Sequence, residues 1–282
     1  MMNPSEQADT VATTDQARQR LDRCREILRE LGSVVIGVSG GVDSSLLLTL
    51  AVDELGAENV LAATATGLIH PARDAEDARR LAASLEVDLV EFDMSDVRDR
   101  RILDNPPDRC YWCKRFIFAE LSRLSERRGF AAVASGSNAD DVNDIRPGAR
   151  AENELDIARP LQQAGMTKAD IRIVARELGI AAADRPSSAC LASRVPYGRP
   201  LDDELLRRIE AAEDVLRRLG FEQCRVRDHD TVARVEIPQC QLPQAVDARA
   251  AIVRDLKAAG YTYVVLDLEG FRSGAMNETL GA

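Results

Sequence analysis

The feature that most constrains this chain is a short apolar run, SVVIGV over residues 33–38, that passes straight into SGGVDSS over residues 39–45. A continuous apolar run of this length reads as a strand buried on both faces. A helix is expected to begin at about Ser44. Two adjacent glycines let backbone N–H groups close on an anion, and the helix N-terminus adds partial positive charge. Ser39, Gly40, Gly41, Asp43, Ser44 and Ser45 are therefore candidate ATP-phosphate ligands, with the serine hydroxyls as donors. The loop does not have the GxxxxGK(S/T) pattern. A loop without that lysine suits an enzyme that holds the pyrophosphate and reacts at the α-phosphorus. The plain alternative is a turn and helix cap at Asp43 or Ser44, but the full string after an apolar strand is more specific than a cap.

The same alternation continues downstream. Strands are expected over residues 60–66, 87–92 and 131–135, and helices over 17–31, 72–85, 116–128 and 168–178. Strands alternating with helices imply an α/β fold with a doubly wound parallel sheet, in which ligands sit beyond the carboxyl ends of the strands. A second glycine motif, SGSNADD over residues 135–141, falls at such an end. Asp140 and Asp141 are candidate Mg²⁺ ligands there, because Mg²⁺ prefers one or two carboxylates plus phosphate oxygens; a solvated Asx turn is the alternative. After Pro200 the order becomes α-β-β-α-β, which suggests a smaller α+β domain. The expected division is a disordered tail over 1–14, a phosphate-loop domain over 15–198, and an α+β domain over 199–282 for substrate binding and oligomerisation.

Six cysteines in a chain with no export signal do not suggest a disulfide framework. Cys110 and Cys113 form a CxxC in DRCYWCKR, open to reading as a redox dithiol, two zinc ligands or two cluster ligands. No second CxxC completes a zinc site, and the pair follows a proline-containing loop instead of opening a helix. Cys190, in the irregular SSACLASR stretch, is the third candidate. Three thiolates can hold three irons of a [4Fe–4S] cluster and leave the fourth free for sulfide; a buried small hydrophobe is the alternative for Cys190 alone. Cys24, Cys224 and Cys240 are expected to be structural, and His70 and His229 receive no role.

Net charge is −10, from 37 basic and 47 acidic side chains. Nucleic-acid binding depends on neutralising phosphates, so this balance weighs against a large RNA partner. No apolar run reaches the roughly 18 to 20 residues a membrane span requires. The first 20 residues are polar, so the expectation is a cytoplasmic protein.

Taken together, SGGVDSS, NPPDRCYWCK, SGSNADDVNDIRPG, PSSACLASRVPYG, RVRDHDTVARVEIP and LDLEGFRSGAMNETL resemble the LarE family. These are ATP-dependent sulfur transferases of nickel-pincer nucleotide cofactor synthesis. The resemblance implies a phosphate-loop ATP pyrophosphatase fold. It also implies adenylylation of pyridinium-3,5-biscarboxylic acid mononucleotide, followed by displacement of AMP by sulfur. One family variant sacrifices a single cysteine; another carries a [4Fe–4S] cluster on three. Cys110, Cys113 and Cys190 match the second, and Ala189 stands about where the sacrificial cysteine would be. By the same resemblance Arg225, Arg227 and Glu236 face the substrate pocket, sulfide or another sulfur donor is consumed, and the protein is a homo-oligomer, a hexamer. Arg225 and Arg227 at i and i+2 of a strand share a face suited to an anion. Arg194 and Arg272 are further anion-binding candidates. Other readings are a tRNA-thiolating enzyme, an amidating synthetase, or a nucleotide-binding protein without catalysis.

Overall fold

In chain order the helices and strands are α1 (Pro4–Leu31), β1 (Val34–Gly37), α2 (Val42–Leu55), β2 (Val60–Thr66), α3 (Ala72–Ser84) and β3 (Leu89–Asp93). There follow α4 (Arg100–Leu103), α5 (Arg109–Arg128), β4 (Ala132–Ala134), α6 (Pro147–Glu154), α7 (Pro160–Gln163) and α8 (Lys168–Glu177). The remainder comprises α9 (Asp203–Arg218), β5 (Arg225–His229), β6 (Val232–Glu236), α10 (Leu242–Asp247), α11 (Arg249–Ala258) and β7 (Tyr263–Leu266). The computed structural model describes residues 4–143, 147–186, 189–272 and 274–280, with the side chains of 4–14, 142–143, 147, 277 and 279–280 left out. Parts of three quoted motifs (residues 144–146, 187–188 and 273) thus lie outside the described residues, as do residues 1–3 of the expected tail. The backbone of the rest of that tail is helical from Pro4 onward.

Two compact units divide the chain. The first comprises Met1–Thr66, Ala72–Met94 and Asp108–Ser187; the second comprises Gly67–Pro71, Ser95–Pro107 and Ser188–Ala282. The second unit is therefore larger than the expected 199–282. It takes in two excursions that leave β2 and β3 as well as the whole Cys190 segment.

The first unit is built on a parallel sheet of order β3-β2-β1-β4. Alternate residues of β1 explain why its apolar run is unbroken. Val34 and Ile36 pack into a cluster with Leu28, Leu46, Leu50 and Ile171, whereas Val35 faces a second cluster with Phe118, Leu121 and Val133. Both faces are covered, so neither parity can be polar. The sheet is doubly wound as expected. Its order reverses between β1 and β4, and the crevice at such a switch point is where α/β sheets bind ligands. SGGVDSS leaves β1 and SGSNADD leaves β4 at that point.

The second unit has a three-stranded sheet of order β5-β6-β7, with an antiparallel β5–β6 hairpin and parallel β6–β7. Val226, Ala233 and Val235 join Leu216, Ile252 and Leu256 of the flanking helices, and Phe221 just after α9, in one apolar cluster. Because successive side chains alternate, Arg225 and Arg227 lie on the opposite face of β5. The second helix of the expected α-β-β-α-β order is broken at Ala248 into α10 and α11.

Candidate functional site

In the first unit, Gly40 has φ 72°, and a Cβ there would stand 3.0 Å from the Asp74 backbone. Only glycine fits both demands. Gly41 is the N-cap of α2 and brings no side chain to its first turn. The Ser44 hydroxyl donates to the Gly41 carbonyl (3.1 Å) and accepts from the Ser39 N–H (3.1 Å). The Ser44 hydroxyl, expected as a phosphate donor, also lies 3.2 Å from Ser39 Oγ, where either can donate. Ser45 is buried, and its N–H returns to Gly41 O at 3.1 Å.

The SGSN loop sits directly on this turn. A Cβ on Gly136 would lie 2.7 Å from Ser44 N. Asn138 Nδ2 donates to Asp43 Oδ1 at 3.4 Å, and the Lys168 ammonium pairs with the other Asp43 oxygen. Lys168 opens α8 behind a capping box of Thr167 and Asp170. It brings to the phosphate loop the cation that SGGVDSS lacks. Asp140 Oδ2 accepts the Lys168 N–H (2.8 Å), and Asp141 Oδ2 accepts the Asn138 N–H (3.0 Å). Each carboxylate already has a loop-building bond.

Cys110 and Cys113 lie in the first turn of α5, which starts at Arg109 and not near residue 116. The expectation that this CxxC does not open a helix is thereby corrected. At i and i+3 the two thiols share one helix face. Cys113 is 6% exposed, Cys110 is half-buried, and Arg109 Nη2 is 3.5 Å from Cys110 Sγ. The next residue, Lys114, pairs with the buried Glu152 of α6 at 3.3 Å, and Ser137 donates to the same Glu152 oxygen at 2.8 Å. A chain of polar contacts, Lys114–Glu152–Ser137, thus runs from the cysteine helix to the SGSN loop against the phosphate loop.

In the second unit, Cys190 opens a short 3₁₀ turn, Leu191–Arg194. Arg194 is 1% exposed and makes a two-pronged pair with Glu213 of α9 (2.7 and 2.8 Å). Its remaining nitrogen donates to the carbonyls of Ala189 (2.5 Å) and Cys190 (2.9 Å). The Arg194 guanidinium, expected as an anion ligand, here mounts the cysteine loop. Burial alone would raise the Glu213 carboxyl, but Arg194, Arg225 and Arg217 outweigh it and hold it down to about 2. Arg227 grips Glu236 with two bonds (2.9 and 2.8 Å) and donates to Ser193 O (2.5 Å), so these two expected substrate ligands bind each other. Arg225 lies over the Phe271 ring at 5.1 Å and donates to Cys224 O at 2.8 Å. Burial first, and then the neighbouring Arg194, push its guanidinium down to about 10. A bound anion would relieve that crowding of positive charge. Arg272, a further expected anion ligand, pairs with Glu269 and Glu278 of its own segment.

Residues 17–103, which contain the phosphate loop, match the NAD synthase family. The chain is 37% identical to the pyridinium-3,5-bisthiocarboxylic acid mononucleotide synthase of Lactiplantibacillus plantarum, covering 90% of this chain and 92% of that protein. The chain belongs to the LarE family. An uncharacterized Synechocystis protein is 36% identical over 93% of this chain and 98% of its own length. A tRNA-specific 2-thiouridylase of a Mycobacterium species is 31% identical over 55% of this chain and 52% of its own. The chain is thus an ATP-dependent sulfur transferase, as expected for LarE.

Within this LarE chain the structure gathers some expected residues and separates others. Ser39 to Ser45, Asp140 and Asp141 meet at one switch point, and Cys110 and Cys113 share a helical turn in the same unit. Cys190 belongs to the second unit, and among the described residues no three His, Cys, Asp or Glu side chains are gathered as a metal ion would need. Of the three cysteines expected to be structural, Cys24 and Cys224 are buried but Cys240 is exposed. Sequence reasoning missed Lys168, Glu152 and a buried network around Asp228, which accepts from Arg199 (2.6 Å), Arg208 (2.7 Å) and the Tyr261 hydroxyl (2.8 Å). The capped TKAD start of α8 was the one visible signal for Lys168. No described helix is long and apolar enough to cross a membrane.

Proposed function

We propose that this LarE chain makes a thiocarboxylate on a pyridinium-3,5-dicarboxylate mononucleotide, in two half-reactions for each carboxylate. A carboxylate oxygen attacks the α-phosphorus of ATP, forming the acyl adenylate and releasing pyrophosphate. A sulfide sulfur then attacks the acyl carbon, and AMP leaves with the electron pair of the broken C–O bond. Adenylylation turns a poor electrophile into one with a good leaving group.

The observation that carries this reading is the contact chain Lys114–Glu152–Ser137, which couples the cysteine turn of α5 to the phosphate loop inside one compact unit. The main-chain N–H groups after Gly41 and the Lys168 ammonium take the phosphates. Asp140 and Asp141, at the end of β4 beside the phosphate loop, suit the outer ligands of an ATP-bound Mg²⁺. Arg225 takes the phosphate or a ring carboxylate of the substrate, and Arg227 and Glu236 hold the wall behind it. Family likeness makes Cys110, Cys113 and Cys190 the cysteines that would hold a [4Fe–4S] cluster, of which the shared helical turn of Cys110 and Cys113 is the part the fold supports; when bound, the cluster would supply an open iron for the sulfide. A cytoplasmic setting, with ATP and reduced thiols, suits this chemistry, and the assembly is a homo-oligomer, a hexamer by family likeness.

Incubation with ATP, Mg²⁺, sulfide and the dicarboxylate nucleotide tests the reading by product mass. Replacement of oxygen by sulfur is expected; pyrophosphate release without any sulfur gain would overturn it. Anaerobic reconstitution should give iron in the wild type and none in the Cys110→Ala, Cys113→Ala, Cys190→Ala triple variant. The likeness to a tRNA thiouridylase gives a second reading, which salt-dependent tRNA binding at physiological ionic strength would favour.

A further inference from the structure

Ser135 follows β4 directly, and its hydroxyl is buried with no hydrogen-bond partner among the described residues. The residue as a whole is 6% exposed. Arg159 stands beside it. The chain at 157–158 adds a short parallel rung to the outer edge of β4, with Ala134 opposite Ala158. Ala158 N donates to Val133 O at 2.9 Å, and Ser135 N donates to Ala158 O at 2.9 Å. One residue further, Arg159 is level with Ser135 and still extended, at φ −131°. Residues level on paired strands share a face, and successive ones alternate. Val133 and Ile157 enter the cluster under α5, whereas Ala134 and Ala158 pack on the one under α2. Ser135 and Arg159 therefore both take the α5 face.

Arg159 is half-buried, its Nε–H is enclosed without an acceptor, and among the described residues its guanidinium makes no hydrogen bond or ion pair. That separates it from Arg194, Arg227 and Arg272, each of which has a carboxylate. The glutamates of α6 are committed elsewhere, Glu152 to Lys114 and Ser137, Glu154 to Arg150 and the Tyr111 hydroxyl. Buried donors left unpaired are costly, and two side by side ask for an acceptor that arrives with a ligand. Their position is held firmly. Gly136, the next residue, leaves no room for a Cβ against Ser44 N, Gln162 Nε2 donates to Asn138 O at 3.4 Å, and Ala139 N donates to Met166 O at 2.9 Å. All of these residues belong to the first unit, at the carboxyl end of its sheet, where such sheets bind ligands.

We propose that Ser135 and Arg159 form a phosphoryl-anion subsite beside the phosphate loop, the guanidinium and the hydroxyl both donating to phosphate oxygens. An arginine fork matches two oxygens of one phosphate, and its charge strengthens both bonds. Two sources present that chemistry, the pyrophosphate portion of ATP and the monophosphate of the dicarboxylate nucleotide. The inference deepens the proposed function and rests on its adenylylating half-reaction, not on the cysteines.

Calorimetric titration of the full-length protein with Mg²⁺ and no sulfide tests it, with inorganic pyrophosphate in one arm and the dicarboxylate nucleotide in the other. Arg159→Gln should weaken one probe by about 10- to 100-fold, the loss expected of charge-assisted hydrogen bonds. Weakening of either probe supports the subsite, and which probe it is assigns the source. Ser135→Ala should weaken the same probe by about threefold to tenfold. The thermal midpoint of the ligand-free Ser135→Ala protein should hold or rise, because an unsatisfied hydroxyl is removed; a residue that only supported the fold would show the reverse. Folded variants that bind both probes as the wild type does would overturn the inference, as would a wild type that binds neither. Should Arg159→Gln fail to fold, Ser135→Ala decides. No sulfur step is measured, so a protein that binds phosphate here yet transfers no sulfur would refute the proposed function and leave the subsite standing.

Discussion

Glu213 is the buried anion on which three guanidinium groups converge, and its protonation is a sensitive measure of the Cys190 mount. Its carboxyl is held down to about 2, below the ordinary glutamate value of 4.5. A depressed carboxylate contributes stability that is present above the unfolded value and lost as pH falls through the folded one. Stability should therefore decline between about pH 4.5 and 2, by on the order of 3 kcal/mol from this group. Urea denaturation of wild type and Glu213→Gln at pH 6 and pH 3 reads the effect. The variant should lose about 3–5 kcal/mol at pH 6, because Arg194 is left buried without its counter-charge, and should show a flatter pH profile. An unchanged profile in Glu213→Gln would mean that the pair is not the source. Arginines and glutamates of this kind are visible as types in the sequence, but their partners are not. Arg194 and Arg227 look like anion ligands in the sequence, but in the fold each is buried against a carboxylate, Arg194 on Glu213 and Arg227 on Glu236.

Between elements, the closest fit is that of the SGSN loop on the first turn of α2. A methyl group on Gly136 would have to displace backbone, since the nearest atoms are Ser44 N, Ser44 Cα and the Asp43 carbonyl carbon. Gly136→Ala should slow ATP-dependent pyrophosphate release by at least about tenfold, since sub-ångström misplacement of a phosphate cradle carries such costs. Far-UV circular dichroism should stay unchanged; wild-type rates would show that the cradle tolerates the shift. The strand–loop–helix passage from β1 to α2 was legible because period, glycines and the following helix all agree. The true start of α5 was not. Two prolines, a Tyr and a Trp mask its first turn, which is held by the Trp112 Nε1 bond to Asp108 (2.9 Å) and the Lys114–Glu152 pair. The break at Ala248 had no sequence signal either, because alanine favours helix. TKAD marks Lys168 as the start of a helix, but its place at the phosphate loop is not legible across the 125 positions that separate it from Asp43.

At the scale of the whole molecule, the chain passes five times between its two compact units. Residues 67–71 and 95–107 leave the parallel sheet to join the second unit, where Ile69 receives Leu191 and Asn105 receives the 195–198 segment. Fragments 1–187 and 188–282, produced together, should co-elute on size exclusion because the N-terminal fragment carries those two docking segments. A 199–282 fragment alone should lack protected amides in hydrogen exchange, having lost them. Separate elution of the first pair would contradict the division. Interlacing of this kind has an evolutionary corollary. No single recombination junction can exchange one body for a foreign counterpart, so the nucleotide-gripping half and the half that carries Cys190 must be inherited, and must diverge, as one piece.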